Sequence, residues 1–291
     1  MSGWLPVAPC TPGACVEPPR AAASVPRAVL RLAALGVLLL AGLAAVLGPP
    51  GLRRGLPPAL VRCWCRWVVR AAGVRVRVTG TAPAEGGLLL VANHVSWLDI
   101  PLLAAVRPAR MLAKSEIRRW PVAGGPAARA GVLFIERDRL RALPDTVDTI
   151  ARALAAGAAV AVFPEGSTWC GRARGVFSRA VFQAALDAGV PVQPVRIRYR
   201  SGGRAVSTTP AFVGLDTLLA SLWRVVSARG LTAEVEVCPA LPPGRHRDRR
   251  RLAEAAEHAV HGRADGRAHR HVHDHAHGDR GKAPSKSMCG L

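Results

Sequence analysis

Two kinds of apolar run organise the chain. Leu32 to Gly48 is an uninterrupted series of apolar and small residues, at the short end of the roughly 17 to 25 residues that cross a bilayer as a helix. Leu88-Leu89-Leu90-Val91-Ala92 is shorter and stops at Asn93-His94, which is the pattern of a strand buried on both faces with its first polar side chains at the carboxyl end. Between these runs, Leu60, Val61, Trp64, Trp67 and Val68 alternate with Arg62, Arg66 and Arg70 at three- and four-residue spacing. That spacing predicts an amphipathic helix with a basic face over Ala59 to Ala72, suited to an anionic membrane surface. Val74 to Thr79 alternates and reads as an edge strand.

Beyond His94 the pattern predicts a short helix starting near Asp99, since Pro101 suits the first turn and Asp99 lies at or just before the N-cap. Further strands are expected at Ala109–Lys114, Gly131–Ile135, Ala158–Phe163, Val190–Tyr199 and Ala233–Val237, with helices at Leu143–Ala156, Phe177–Ala188 and Leu218–Ala228. Helix and loop are expected between Ile117 and Ala130. Strands that alternate with helices describe an α/β sheet, in which polar chemistry gathers at the strands' carboxyl ends.

His94 and Asp99 sit at such an end. In one continuous helix, residues five apart point about 140° away from each other, but across a strand-to-helix turn the carboxylate can fold back to the imidazole. The pair then has the parts of a general base and the acid that orients it. The other eight of the nine histidines lie at or after His246, which leaves one candidate imidazole in the body of the chain.

His94-x4-Asp99 resembles the first motif of the glycerolipid acyltransferases, whose bacterial type is the lysophosphatidic acid acyltransferase. Later motifs of that family follow in order: Gly131-Val132-Leu133-Phe134-Ile135-Glu136-Arg137, Phe163-Pro164-Glu165-Gly166-Ser167-Thr168, and Val190-Pro191-Val192-Gln193-Pro194-Val195. The resemblance implies acyl transfer from acyl-CoA or acyl carrier protein to the hydroxyl of a lysolipid. His94 would act as base and Asp99 as its orienting acid. Arg137, Glu165 and Gly166 would bind the acceptor, with Ser167, Thr168 and Lys114 as further binding candidates. No cofactor and no metal is expected, because a thiolate with a pKa near about 8.5 leaves readily once the alkoxide has attacked. The acceptor expected first is 1-acyl-sn-glycerol-3-phosphate. Many such enzymes carry an arginine directly after the Glu-Gly-Thr, however, and here Thr168 is followed by Trp169-Cys170-Gly171, with Arg172 and Arg174 close behind. The alternative acceptor is lyso-ornithine lipid, whose head group has no phosphate.

Composition adds the partners. The 291 residues include 40 Lys and Arg against 19 Asp and Glu, a formal charge of +21, which favours an anionic surface or ligand. The chain is poor in aromatics, at 4% of residues with a single Tyr, and holds no recognisable nucleic-acid motif, so nucleic acid is not expected as a partner. No Gly-x-Ser-x-Gly elbow occurs, which argues against a serine hydrolase. Seven cysteines without a CxxC pair read as reduced thiols in a protein facing the cytoplasm.

The expected architecture is therefore an α/β, single mixed-sheet acyltransferase domain over residues 73–243. Hydrophobic and amphipathic membrane-associating helices precede it at 25–72. Residues 1–24 and a basic, His-rich tail at 244–291 are expected to be disordered. Arginines flank both ends of the apolar run, so charge gives no orientation for it. The expected location is the cytoplasmic face of the cell membrane, with the N-terminal hydrophobic segment as anchor.

Overall fold

The computed structural model describes residues 8–49, 56–120, 124–136, 140–202 and 205–262. The Leu88–Ala92 run is strand β2, near the middle of an eight-stranded mixed sheet. The other strands are β1 (Arg75–Thr79), β3 (Arg110–Lys114), β4 (Leu133–Ile135), β5 (Ala159–Val162), β6 (Val192–Ser201), β7 (Ala205–Val206) and β8 (Leu231–Val237). Their order is β1-β8-β6-β2-β5-β3-β4, with β7 paired to β6. β2 runs parallel to both β5 and β6, whereas β8 is antiparallel to β6. The carboxyl ends of β2, β5 and β6 thus share one edge.

The alternation of β2 explains its full burial. Leu88, Leu90 and Ala92 pack into one layer with helices α3 (Pro58–Ala71), α4 (Asp99–Val106) and α8 (Leu218–Ser227). Leu89 and Val91 pack into the opposite layer, against α6 (Leu143–Ala155), α7 (Ala180–Asp187) and α9 (Arg249–His261). A short helix α5 (Gly124–Arg129) lies between β3 and β4. Gly87 enters β2 so close to the Leu154 carbonyl and the Val190 side chain that a Cβ would clash with both. Replacing Gly87 by alanine is expected to destabilise the fold by about 1 to 3 kcal/mol, the usual range for forcing extra volume into a packed core. The fall in urea midpoint checks this, and an unchanged midpoint would show that β2 can shift.

Helix α2 (Val25–Leu47) starts earlier than the apolar run, because Pro26 fits its first turn. It has 23 residues and is long and apolar enough to cross a membrane, with almost none of its apolar length buried. At about 1.5 Å per residue it spans about 35 Å. The indole of Trp64 on α3 donates to the Leu38 carbonyl at 3.0 Å, and Gly42 gives that ring room. Arg31 donates to the carbonyls of Val226 and Ala228 at 2.8 Å each, which ties α2 to the last turn of α8. On α3 the apolar residues do not form the single face expected. Cys65, Val68 and Val69 enter the core, whereas Leu60 and Trp67 are exposed.

Two expectations of disorder are corrected. Residues 8–23 are docked, with a one-turn helix α1 (Pro12–Cys15) and main-chain bonds from Ala23 to Ser227 and from Arg229 to Ala21. Composition misled here, since these Pro- and Gly-rich residues are ordered by the domain they lie against and not by their own propensity. Residues 249–261, assigned to the tail, form α9, which buries Leu252, Ala253, Ala256 and Val260. Half of its apolar stripe is alanine, and the stripe is masked in sequence by Arg and His. The alternating histidines His269 to His277 lie outside the described residues.

Candidate active site

The site is built where β2 and β5 end. Asn93 continues the pairing beyond β2: its side-chain amide donates to the Ile197 carbonyl at 2.9 Å and accepts from the Ile197 amide at 2.8 Å. The chain then turns, and α4 begins at Asp99. Asp99 is completely buried. Its Oδ2 accepts from the Val95 amide at 2.7 Å and the Ser96 amide at 2.8 Å, and lies 2.9 Å from His94 Nδ1. Oδ1 accepts from the Tyr199 hydroxyl at 2.6 Å.

This geometry assigns the imidazole proton. An ionised carboxylate has no hydrogen to give, so Nδ1 carries the proton toward Asp99 and Nε2 keeps its lone pair. The ring lies flat on Phe163, centroids 3.9 Å apart and planes 9° from parallel. Its main chain is clamped as well, since the His94 amide donates to Glu165 Oε2 at 2.8 Å and its carbonyl accepts from the Trp169 amide at 2.8 Å. The side chain keeps 19% of its surface exposed. The arrangement can take a proton at Nε2 and hold the resulting charge against Asp99.

Tyr199 was not anticipated, although the period of two in β6 could have found it: Val195, Ile197 and Tyr199 share one buried face. Burial, and then the Asp99 charge and hydrogen bond, push the Tyr199 hydroxyl well above its usual value of 10.0. The folded protein therefore keeps a proton that the unfolded chain releases, so this stabilisation is full below about pH 10 and is lost as pH rises further. Tyr199→Phe removes a hydrogen bond to a buried charge. It is expected to lower stability at neutral pH by about 1.5 to 3 kcal/mol and to flatten the alkaline fall in stability. Urea titrations at neutral and alkaline pH check both, and an unchanged neutral midpoint would contradict the role given to the hydroxyl.

The remaining sequence candidates separate. Glu165 does not present its carboxylate to a ligand as expected but is buried. Oε2 holds the His94 amide, while Oε1 accepts from the Gly175 amide at 3.2 Å and lies 3.2 Å from His261 Nε2. Its work is thus to tie the β2 turn to the loop before α7. His261 comes from α9, packs its ring edge-on against Phe177 and corrects the expectation of one imidazole in the body. Gly166, at φ +73, takes the left-handed conformation that lets the turn close after Glu165. Thr168 donates its hydroxyl to the Phe212 carbonyl. Ser167 is half-buried beside these residues. Lys114 is exposed at the end of β3, two strands from β2. Arg137 lies outside the described residues. Arg172 pairs with Glu17, and Arg174 donates to the His261 carbonyl at 3.2 Å.

Residues 74–198, which contain His94, Asp99, Phe163 and Glu165 but neither Tyr199 nor His261, match the family model described as Acyltransferase. Over 244 residues the chain is 39% identical to the lyso-ornithine lipid O-acyltransferase of Pseudomonas aeruginosa, an alignment covering 80% of this chain and 89% of that protein. It is 37% identical over 198 residues to the 1-acyl-sn-glycerol-3-phosphate acyltransferase of Neisseria meningitidis, covering 67% and 76%. The fold is similar to the crystal structure of the 1-acyl-sn-glycerophosphate acyltransferase PlsC from Thermotoga maritima, with a TM-score of 0.56, 19% identity, and coverage of 81% of this chain and 93% of that one. With identity of this level sustained over most of both chains, the protein belongs to the acyltransferase family.

Proposed function

We propose that this chain transfers a fatty acyl group from a thioester, acyl-CoA or acyl carrier protein, to the hydroxyl of a lysolipid. The observation that carries this is the Asp99-oriented His94, with Nε2 free to accept a proton at the carboxyl end of β2. His94 removes the acceptor's hydroxyl proton as the oxygen attacks the thioester carbonyl. Asp99 stabilises the imidazolium, the tetrahedral intermediate collapses, and the thiol leaves with a proton returned from His94. The reaction uses neither an enzyme nucleophile nor a cofactor or metal.

For the acceptor we favour lyso-ornithine lipid over 1-acyl-sn-glycerol-3-phosphate, reversing the order expected from the sequence. The two arginines that follow the Glu-Gly-Ser-Thr turn are both engaged by protein groups, Arg172 by Glu17 and Arg174 by His261. The Glu17 carboxylate already balances the Arg172 charge, so a phosphate bound there would share that guanidinium with it, whereas a head group without phosphate needs neither arginine. The phosphate-bearing acceptor keeps the support of the Neisseria relative and of Arg137 in the motif that resembles the family's.

The apolar α2 is the membrane anchor in this reading, and it lies along α8, which leaves Leu218, Leu219 and Trp223 exposed. The basic α3 completes a surface for anionic lipid on the cytoplasmic side. Thiol release from acyl-CoA by the purified protein in detergent, with each lysolipid offered separately, tests the acceptor. Release that depends on lyso-ornithine lipid supports the reading, and release that depends only on the phosphate-bearing lipid overturns it.

A further inference from the structure

The docked N-terminal segment brings two cysteines to a third that is far away in sequence. Thr11 caps the single turn of α1, which returns Cys15 toward Cys10. The Cys10 carbonyl packs against Gly214, the Glu17 amide donates to Thr208 Oγ1 at 3.0 Å, and Glu17 pairs with Arg172. The sulfurs of Cys10, Cys15 and Cys170 consequently lie within 4.8 Å of one another. Cys10 and Cys170 are buried and Cys15 is half-buried. No disulfide joins them.

The third sulfur sits in a turn shaped around it. Gly171, at φ +85, reverses the chain so that the Ala173 amide donates to Cys170 Sγ at 3.5 Å. Main-chain amides aimed at a sulfur favour its thiolate form, the form that ligates metals.

We propose that Cys10, Cys15 and Cys170 bind one thiophilic cation of the zinc class. The three ligate as thiolates, their protons pass to solvent, and the fourth position is left to a water on the half-buried Cys15 side. A disulfide would use two of these sulfurs and leave the third without a purpose; a metal uses all three. Zinc–thiolate bonds of about 2.3 Å in a tetrahedral site put the sulfurs about 3.8 Å apart, so a contraction of at most about 1 Å closes the set. Its role is to brace. Cys170 follows Trp169, whose amide holds the His94 carbonyl at 2.8 Å, so the ion pins the N-terminal segment to the turn that supports His94 and takes no part in the reaction.

The test is cobalt titration of the full chain, purified under reducing conditions and stripped with a chelator. Histidines of the tail can also take metal, but only cysteine ligation gives thiolate-to-cobalt charge-transfer bands in the near ultraviolet. The expected result is such bands, with tetrahedral visible bands, saturating at one equivalent in the wild type and in Cys63→Ser, whose exposed thiol serves as control. They should vanish in Cys10→Ser and Cys170→Ser and weaken in Cys15→Ser. Zinc should raise the melting temperature of the wild type and not that of Cys170→Ser. Absence of the bands in the wild type overturns the proposal, whatever the variants do. So does their persistence in Cys170→Ser, or a Cys10–Cys170 disulfide in freshly isolated protein that takes up no metal.

Discussion

His94→Ala is expected to lower acceptor-dependent acyl transfer by about 10²- to 10⁴-fold, the range associated with losing a positioned general base, while the protein stays folded. The fold survives because Asp99 keeps the Val95 and Ser96 amides and the Tyr199 hydroxyl, so its carboxylate does not become an unpaired buried charge. The main-chain clamp on residue 94, from Glu165 and Trp169, is independent of the side chain. The loss should fall on kcat more than on KM, since a proton acceptor acts on the transition state and contributes little to ground-state binding. Steady-state rates beside far-ultraviolet dichroism check both halves. A folded variant with undiminished rate would remove His94 from the mechanism.

Asp99 separates orientation from scaffolding. Asp99→Asn is expected to fold and to lose about 10²-fold or more in transfer. Its amide oxygen can take the Oδ2 position and accept from the two amides, and its NH₂ can face Tyr199, whose hydroxyl oxygen is able to accept. What it cannot supply is the negative charge that stabilises the imidazolium. Asp99→Ala is expected to do far more damage, because it strands the Val95 and Ser96 amides, the Tyr199 hydroxyl and His94 Nδ1 without their acceptor. At about 1 to 3 kcal/mol for each buried group left unsatisfied, the loss rivals the whole stability of a domain, about 5 to 15 kcal/mol. Melting curves and expression yields check this pair. Equal stability in the two variants would mean that the turn satisfies its donors in another way.

The strand-to-helix turn at His94 was legible because chemistry and topology coincide there. A five-residue apolar run that ends in polar side chains fits a buried strand, and a His-x4-Asp straddling its end can close across a turn, as the 2.9 Å contact between the two shows. The helices over Leu143–Ala155 and Leu218–Ser227 followed from periodicity, each starting where expected and ending one residue earlier. Glu165 lies in the neighbourhood the sequence points to, but its carboxylate is turned inward. A Pro-Glu-Gly turn looks the same in sequence whether its carboxylate faces a ligand or turns inward to grip main-chain amides, and only the positions of the His94 and Gly175 amides decide it. His261 and the Cys10, Cys15 and Cys170 cluster were out of reach for another reason. Each joins a chain terminus to the middle of the chain, and such long-range contacts leave no local period to read.

The account's central claim is that the acyl group passes directly from thioester to lipid hydroxyl with His94 as the base. Incubating the protein with radiolabelled acyl-CoA, with and without lysolipid, and then separating lipid from protein tests it most directly. The account predicts label in the diacyl lipid only when acceptor and His94 are both present, and none bound covalently to the protein. Label that accumulates on the protein without acceptor and then chases into lipid, or equal lipid labelling by His94→Ala, would contradict it.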